Sequence, residues 1–158
     1  MIIPIERGYY QARAIQSTAD RKYVNPRFPI ADRLFNYQAL EKYKQIFIAE
    51  GAISAKALGN NAIATLGNNG ATRKQKLRLV NSTARKFTVA YDAGEETSER
   101  LLELGDYLNS HGKQVVIRKY LEGDPDSSNE YEEEAYGMAY KVRSKLFRNK
   151  VRRRLTEI

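Results

Sequence analysis

The chain has 158 residues, 42% of them hydrophobic, and a net charge of +8, which fits a single soluble domain with a real core rather than two domains or a disordered segment. It holds no cysteine and one histidine, His111, so disulfides, zinc sites and histidine clusters are excluded; any metal must be held by oxygen, as Mg²⁺, Mn²⁺ or Ca²⁺ are. No stretch approaches the ~18 uninterrupted apolar residues of a membrane span, and Met1–Arg7 lacks a signal-peptide pattern, so a cytoplasmic setting without a membrane partner is expected.

Residues 1–44 are punctuated by Pro4, Pro26 and Pro29 and read as an extended lead-in with a short helix near Asn36–Tyr43. A core is expected over residues 45–128. Within it, Ile46–Ala49, Ala62–Leu66, Phe87–Tyr91 and Val115–Ile117 are continuous apolar, β-branched runs, the pattern of strands buried on both faces. Helical segments separate them at Ala52–Leu58, Thr72–Ala84 and Glu95–Ser110, the last carrying Leu101, Leu104 and Leu108 on one stripe with Gly112 beyond its end. This alternation predicts an α/β fold: a parallel four-stranded sheet flanked by helices, with right-handed crossovers. Residues 129–158 are expected to form a basic C-terminal helix running from about Asn129 to Arg154.

Charge is concentrated in that last segment. Lys141, Arg143, Lys145, Arg148, Lys150, Arg152, Arg153 and Arg154 face only Glu157, a surplus of seven out of the chain's +8. An acidic run from Glu122 to Glu134 precedes them. A basic helix of this kind suits phosphate-backbone contact; the plainer alternative is a solvated helix, or one pairing with the Glu130–Glu134 cluster. Arg73 and Lys74, beside the Gly67-Asn68-Asn69-Gly70 loop, add a second basic position, although the loop lacks the Lys-Ser/Thr of a P-loop.

Ligands of open parallel sheets gather at the carboxyl ends of the strands, and acids fall there. Glu50 follows the first strand, Asp92 the third, and Gly123-Asp124-Pro125-Asp126 comes shortly after the fourth. Three loops delivering carboxylates to one edge make a plausible oxygen site for Mg²⁺, which takes one or two protein carboxylates and completes its shell with water and phosphate. The same acids also serve as ordinary helix caps and turn openers, a role that suits Glu95 and Glu96 well.

At these residues the sequence resembles the Toprim domain of bacterial and phage-type DNA primases. Tyr23-Val24-Asn25-Pro26, Leu34-Phe35-Asn36 and Ala39-Leu40 look like the lead-in of phage and plasmid primase-like proteins. Ile48-Ala49-Glu50-Gly51 is similar to the family's strand ending in Glu-Gly, and Ala62-Ile63-Ala64-Thr65-Leu66-Gly67 to its second strand and glycine turn. Val89-Ala90-Tyr91-Asp92 is similar to the strand that ends in Asp-x-Asp, and Gly123-Asp124-Pro125-Asp126 to the acidic Asp-Pro-Asp segment; together these span about residues 23 to 126.

The resemblance implies Mg²⁺-dependent (or Mn²⁺-dependent) nucleotidyl transfer in DNA replication, on a single-stranded DNA template or an RNA/DNA hybrid. Glu50 would be the catalytic acid/base or metal-site glutamate. Asp92, Asp124 and Asp126 would be metal ligands, with Glu95 a further candidate. Other replication proteins would supply a zinc ribbon or helicase, since no zinc ligand set exists here. Two departures favour an alternative, a non-catalytic Toprim module that binds nucleic acid or a replication protein. Gly94 stands where the second aspartate of Asp-x-Asp would be, and Ser54 where primases carry an acid four positions after the glutamate. A Toprim nuclease is a further alternative.

Overall fold

The computed structural model describes residues 1–6, 8–15, 23–24, 32–67 and 70–156. Chain order gives β1 (Ile2–Glu6), β2 (Tyr9–Arg13), β3 (Tyr23–Val24), α1 (Ala39–Lys42), β4 (Gln45–Ala49), α2 (Ala52–Leu58) and β5 (Ala62–Ala64). It continues with α3 (Arg73–Asn81), β6 (Lys86–Val89), α4 (Glu99–Ser110), β7 (Gln114–Tyr120), β8 (Tyr131–Ala135) and α5 (Met138–Thr156). The α/β reading holds. The main sheet has five strands rather than four, ordered β5-β4-β6-β7-β8; the first four are parallel and β8 runs antiparallel to β7.

β4, β5 and β6 are buried on both faces because helices cover both sides. Ile48, Ile63, Phe87, Val89 and Ile117 fill the core with Leu101, Leu104 and Leu108 of α4, all fully buried. α4 opens at Ser98, whose hydroxyl accepts the Leu101 N–H, and its leucine stripe faces the sheet as the spacing predicts.

Residues 1–44 are not merely extended. β1, β2 and β3 form a separate three-stranded antiparallel sheet, and Ile3 and Ile5 of β1 pack with Ala52, Ala55 and Ala62. The expected short helix is present as α1, a single turn.

The second correction concerns residues 129–137. Their glutamates predict the opening of a helix, because Glu is a good helix former. The segment forms β8 instead, since β7 offers a cationic edge. Arg118 opposes Glu133 in register and bonds it at 2.7 and 3.0 Å, while Lys119 bonds Glu134 at 2.5 Å. The Arg118 guanidinium also lies 3.8 Å from the Tyr131 ring centre and 4.7 Å from that of Phe47. Opposite charges across a ladder outweigh the small helix preference of glutamate. The helix therefore starts at Met138 and the sheet continues past residue 128.

One buried polar side chain ties the lead-in to the core. Gln75 is fully buried; its amide donates to Arg33 O at 2.6 Å and Thr65 O at 2.7 Å, and its oxygen accepts the Thr72 N–H at 2.9 Å. The Gln75 N–H returns a bond to Thr72 Oγ1, closing a capping box at the start of α3. Gln75→Leu keeps the volume but orphans two carbonyls and an N–H, which costs roughly 3 kcal/mol. The expected result is a thermal midpoint lowered by about 6–12 °C, read by circular dichroism; an unchanged midpoint would remove this link.

Candidate functional site

The carboxyl ends of β4, β6 and β7 are adjacent because β6 lies between the other two strands. Specific bonds fasten the loops that follow. Ala93 N–H donates to Gly123 O at 2.8 Å, joining the loop after β6 to the loop after β7. The Ser54 hydroxyl, one turn into α2, donates to Asp126 Oδ1 at 2.9 Å across 72 residues of sequence. Leu66 N–H donates to Glu50 O at 2.9 Å and fixes the end of β4 against the loop after β5. Leu66 adopts a φ of +62° there, a left-handed conformation uncommon for a branched residue and typical of strained functional edges.

Glu50, Asp92, Glu95, Asp124 and Asp126 thus share one edge. Glu50 is mostly buried at the carboxyl end of β4; burial pushes its carboxyl up to about 7, Asp92 and Glu95 add to the rise, and Arg100 opposes it. Asp92 is exposed, yet its carboxyl is also raised, by partial burial first and then by the charges of Asp124, Asp126 and Glu95. Asp124 goes the other way. Burial would raise it, but the Ser127 hydroxyl, 2.6 Å from its Oδ1, and local backbone bonds outweigh that and lower it. Repulsion among carboxylates that lifts proton affinity is also what a hard cation relieves.

One cation at this edge is a residue that sequence reasoning missed. Arg100 Nη2 lies 2.8 Å from Glu50 Oε1 and 3.0 Å from Glu95 Oε2. Its signal was legible: an arginine in the first turn of α4 sits at the positive end of a helix, where acids are favoured. Beneath it, Tyr91 and Thr65 are fully buried, and neither hydroxyl makes a hydrogen bond of standard geometry. Burial holds the Tyr91 phenol protonated far above the ordinary tyrosine range, and Glu50 pushes the same way.

Both departures from the primase pattern have structural consequences. Ser54 adds no ligand; its hydroxyl takes up an Asp126 oxygen that an acid in its place would repel. Gly94 has a φ of +85°, which an aspartate would adopt only with strain.

Oxygen donors suit Mg²⁺ or Mn²⁺ by chemistry, and Mg²⁺ needs only one or two carboxylates from protein. Among the described residues, no three acidic or histidine side chains are gathered into a ready metal cage. An ion at this edge would draw one or two of its ligands from Asp92, Asp124 and Asp126 and the rest from water and phosphate.

Among the described residues, several of the basic side chains are already paired within the chain. Lys74 is paired with Asp32 at 2.8 Å and Arg73 is exposed beside it at the start of α3. Lys141 bonds Asp106 at 2.5 Å and Arg143 pairs with Glu134, so part of the basic helix is neutralised within the chain. Lys145 is exposed and Arg148 half-buried. The side chains of Lys150, Arg152, Arg153 and Arg154 lie outside the described residues, as do Asn25, Pro26, Asn68 and Asn69.

Three solved structures with a similar architecture come from primases. The Aquifex aeolicus primase, crystallised with its zinc-binding and RNA polymerase domains, matches at a TM-score of 0.63 and 24% identity over 79% of this chain. The fold is primase-like. The RNA polymerase domain of the Mycobacterium tuberculosis primase DnaG follows at a TM-score of 0.57 and 18% identity, covering 75% of this chain. The same domain in complex with double-stranded DNA matches at 0.54 and 17%, again over 75%. The chain spans 35% of the first of these proteins, 45% of the second and 43% of the third, so it corresponds to less than half of each. No family model matches the chain, and no curated protein matches it in sequence. No helix among the described residues is long and apolar enough to cross a membrane.

Proposed function

We propose that the chain is a primase-type Toprim protein that binds nucleic acid and carries out Mg²⁺-dependent nucleotidyl transfer, or a part of it, in DNA replication. The observation that carries this reading is the meeting of Glu50, Asp92 and the Asp124–Asp126 turn at one carboxyl edge of a primase-like fold. Asp92, Asp124 and Asp126 would hold the ion, which when bound supplies positive charge against the developing phosphate charge. Glu50, with a proton affinity near neutrality, is suited to take a proton from an attacking hydroxyl. The DNA-bound neighbour supports a nucleic-acid partner, and a cytoplasmic setting, in a phage-infected host or otherwise, belongs to the same reading.

The test is direct. Single-stranded template, labelled ribonucleotides and Mg²⁺ or Mn²⁺ should give short oligomers. Binding without synthesis would favour the second reading, a non-catalytic Toprim module, for which Ser54 and Gly94 speak; loss of labelled strand without nucleotides would mark a nuclease.

The basic helix makes a separate prediction. Lys145→Ala, at an exposed position of α5, should weaken single-strand binding and reduce the salt slope by about 0.7 log units if it neutralises one phosphate. Fluorescence anisotropy over a salt series reads this, and an unchanged slope would remove this position of α5 from the interface.

A further inference from the structure

The five acids at the carboxyl edge are not equivalent. Glu50 and Glu95 converge on a single nitrogen of Arg100, at 2.8 and 3.0 Å, and the arginine side chain is only 19% exposed. By contrast, Asp126 and Asp124 accept hydrogen bonds from the neutral hydroxyls of Ser54 and Ser127, which leave their charge uncompensated.

Arg100 is also held in place. Its guanidinium lies 5.7 Å from the centre of the Tyr91 ring, and its stem rests on Gly70. A Cβ at Gly70 would come within 2.9 Å of the Arg100 Cβ, and Gly70 has a φ of +78°, so glycine alone admits this approach without strain. A cation in the first turn of a helix is disfavoured by the helix dipole; the two glutamates supply the opposing attraction.

We propose that Arg100 is a resident cation of this edge, which takes up Glu50 and Glu95 and confines divalent ions to the half formed by Asp92, Asp124 and Asp126. A guanidinium and a dication a few ångströms apart repel each other, so the glutamate half has no place for an ion while Arg100 is seated. Arg100 is a positioning residue: it orients Glu50 and sets how many ions the edge accepts. The inference rests on the metal-binding reading above.

Mn²⁺ titration of the full chain, followed by the electron paramagnetic resonance of the free ion and by calorimetry, tests it without an activity assay. The wild type should take up one Mn²⁺. Arg100→Met should take up a second, or bind the first about tenfold more tightly, because a like charge is gone and two carboxylates are released. Arg100→Lys should behave as the wild type, and Glu50→Gln should keep its Mn²⁺ affinity within about threefold, since Glu50 is not a ligand. The same number and affinity of Mn²⁺ in wild type and Arg100→Met would overturn the inference alone. Loss of Mn²⁺ binding in Glu50→Gln would overturn it as well, and settles the matter if Arg100→Met gives no cooperative melt. No uptake by either wild type or Arg100→Met would overturn the metal-binding reading itself.

Discussion

Replacing Asp92 with asparagine should abolish metal-dependent nucleotidyl transfer, by about 10²–10³-fold or more, while leaving nucleic-acid affinity close to wild type. The separation follows from position. Asp92 lies on the carboxyl edge, bonded through its loop neighbour Ala93 to Gly123, whereas the exposed cations assigned to nucleic acid include Arg73 on α3 and Lys145 on α5. A second signature accompanies the first. The Asp92 carboxyl is raised by burial and by Asp124, Asp126 and Glu95, so its ionised form destabilises the folded state near neutral pH. Asparagine removes that charge, and the variant should melt at or above the wild-type temperature in a chelator. Such a gain in stability with loss of activity is common where like charges are held together for function. Template-directed synthesis, filter binding and thermal melts read the three quantities. Loss of binding together with activity, in a folded variant, would contradict this division of labour.

Gly105→Ala should destabilise the core although it adds only one methyl group. In most helices this substitution helps, by about 0.5–1 kcal/mol. Here the added Cβ would stand 2.8 Å from both Cε2 and Cζ of Tyr136. Tyr136 has little room to retreat: its hydroxyl lies 2.9 Å from both Leu102 O and Asp106 Oδ1, and its N–H donates to Val115 O at 2.9 Å. Overpacking of roughly 1–3 kcal/mol plus about 1 kcal/mol for each strained hydrogen bond outweighs the propensity gain. The net expectation is a loss of about 2–3 kcal/mol, or some 4–12 °C in the midpoint. Tyr136→Phe should lose only about 1 kcal/mol. A Gly105→Ala protein melting at the wild-type temperature would mean that α4 does not meet the β8–α5 connection as described.

Much of this protein is written in local pattern. The continuous runs around Ile48, Ile63, Val89 and Ile117 read as strands buried on both faces, and the leucine stripe of α4 as a core face, because burial on this scale leaves few polar alternatives at those positions. The acids at strand ends, Glu50, Asp92, Asp124 and Asp126, were legible for the same reason: a parallel sheet places all its carboxyl ends on one side. What the pattern could not carry were interactions between distant segments. The glutamates of β8 are helix formers until Arg118 and Lys119 lie opposite them, and no local rule places those strands together. Ser54 reads as a missing acid until it bonds Asp126, 72 residues away, and only the fold brings Glu50 against Arg100. Composition and periodicity determined which surfaces had to be buried; only the tertiary structure decided which charges meet, because ion pairs and hydrogen bonds depend on distances of a few ångströms that spacing along the chain does not encode.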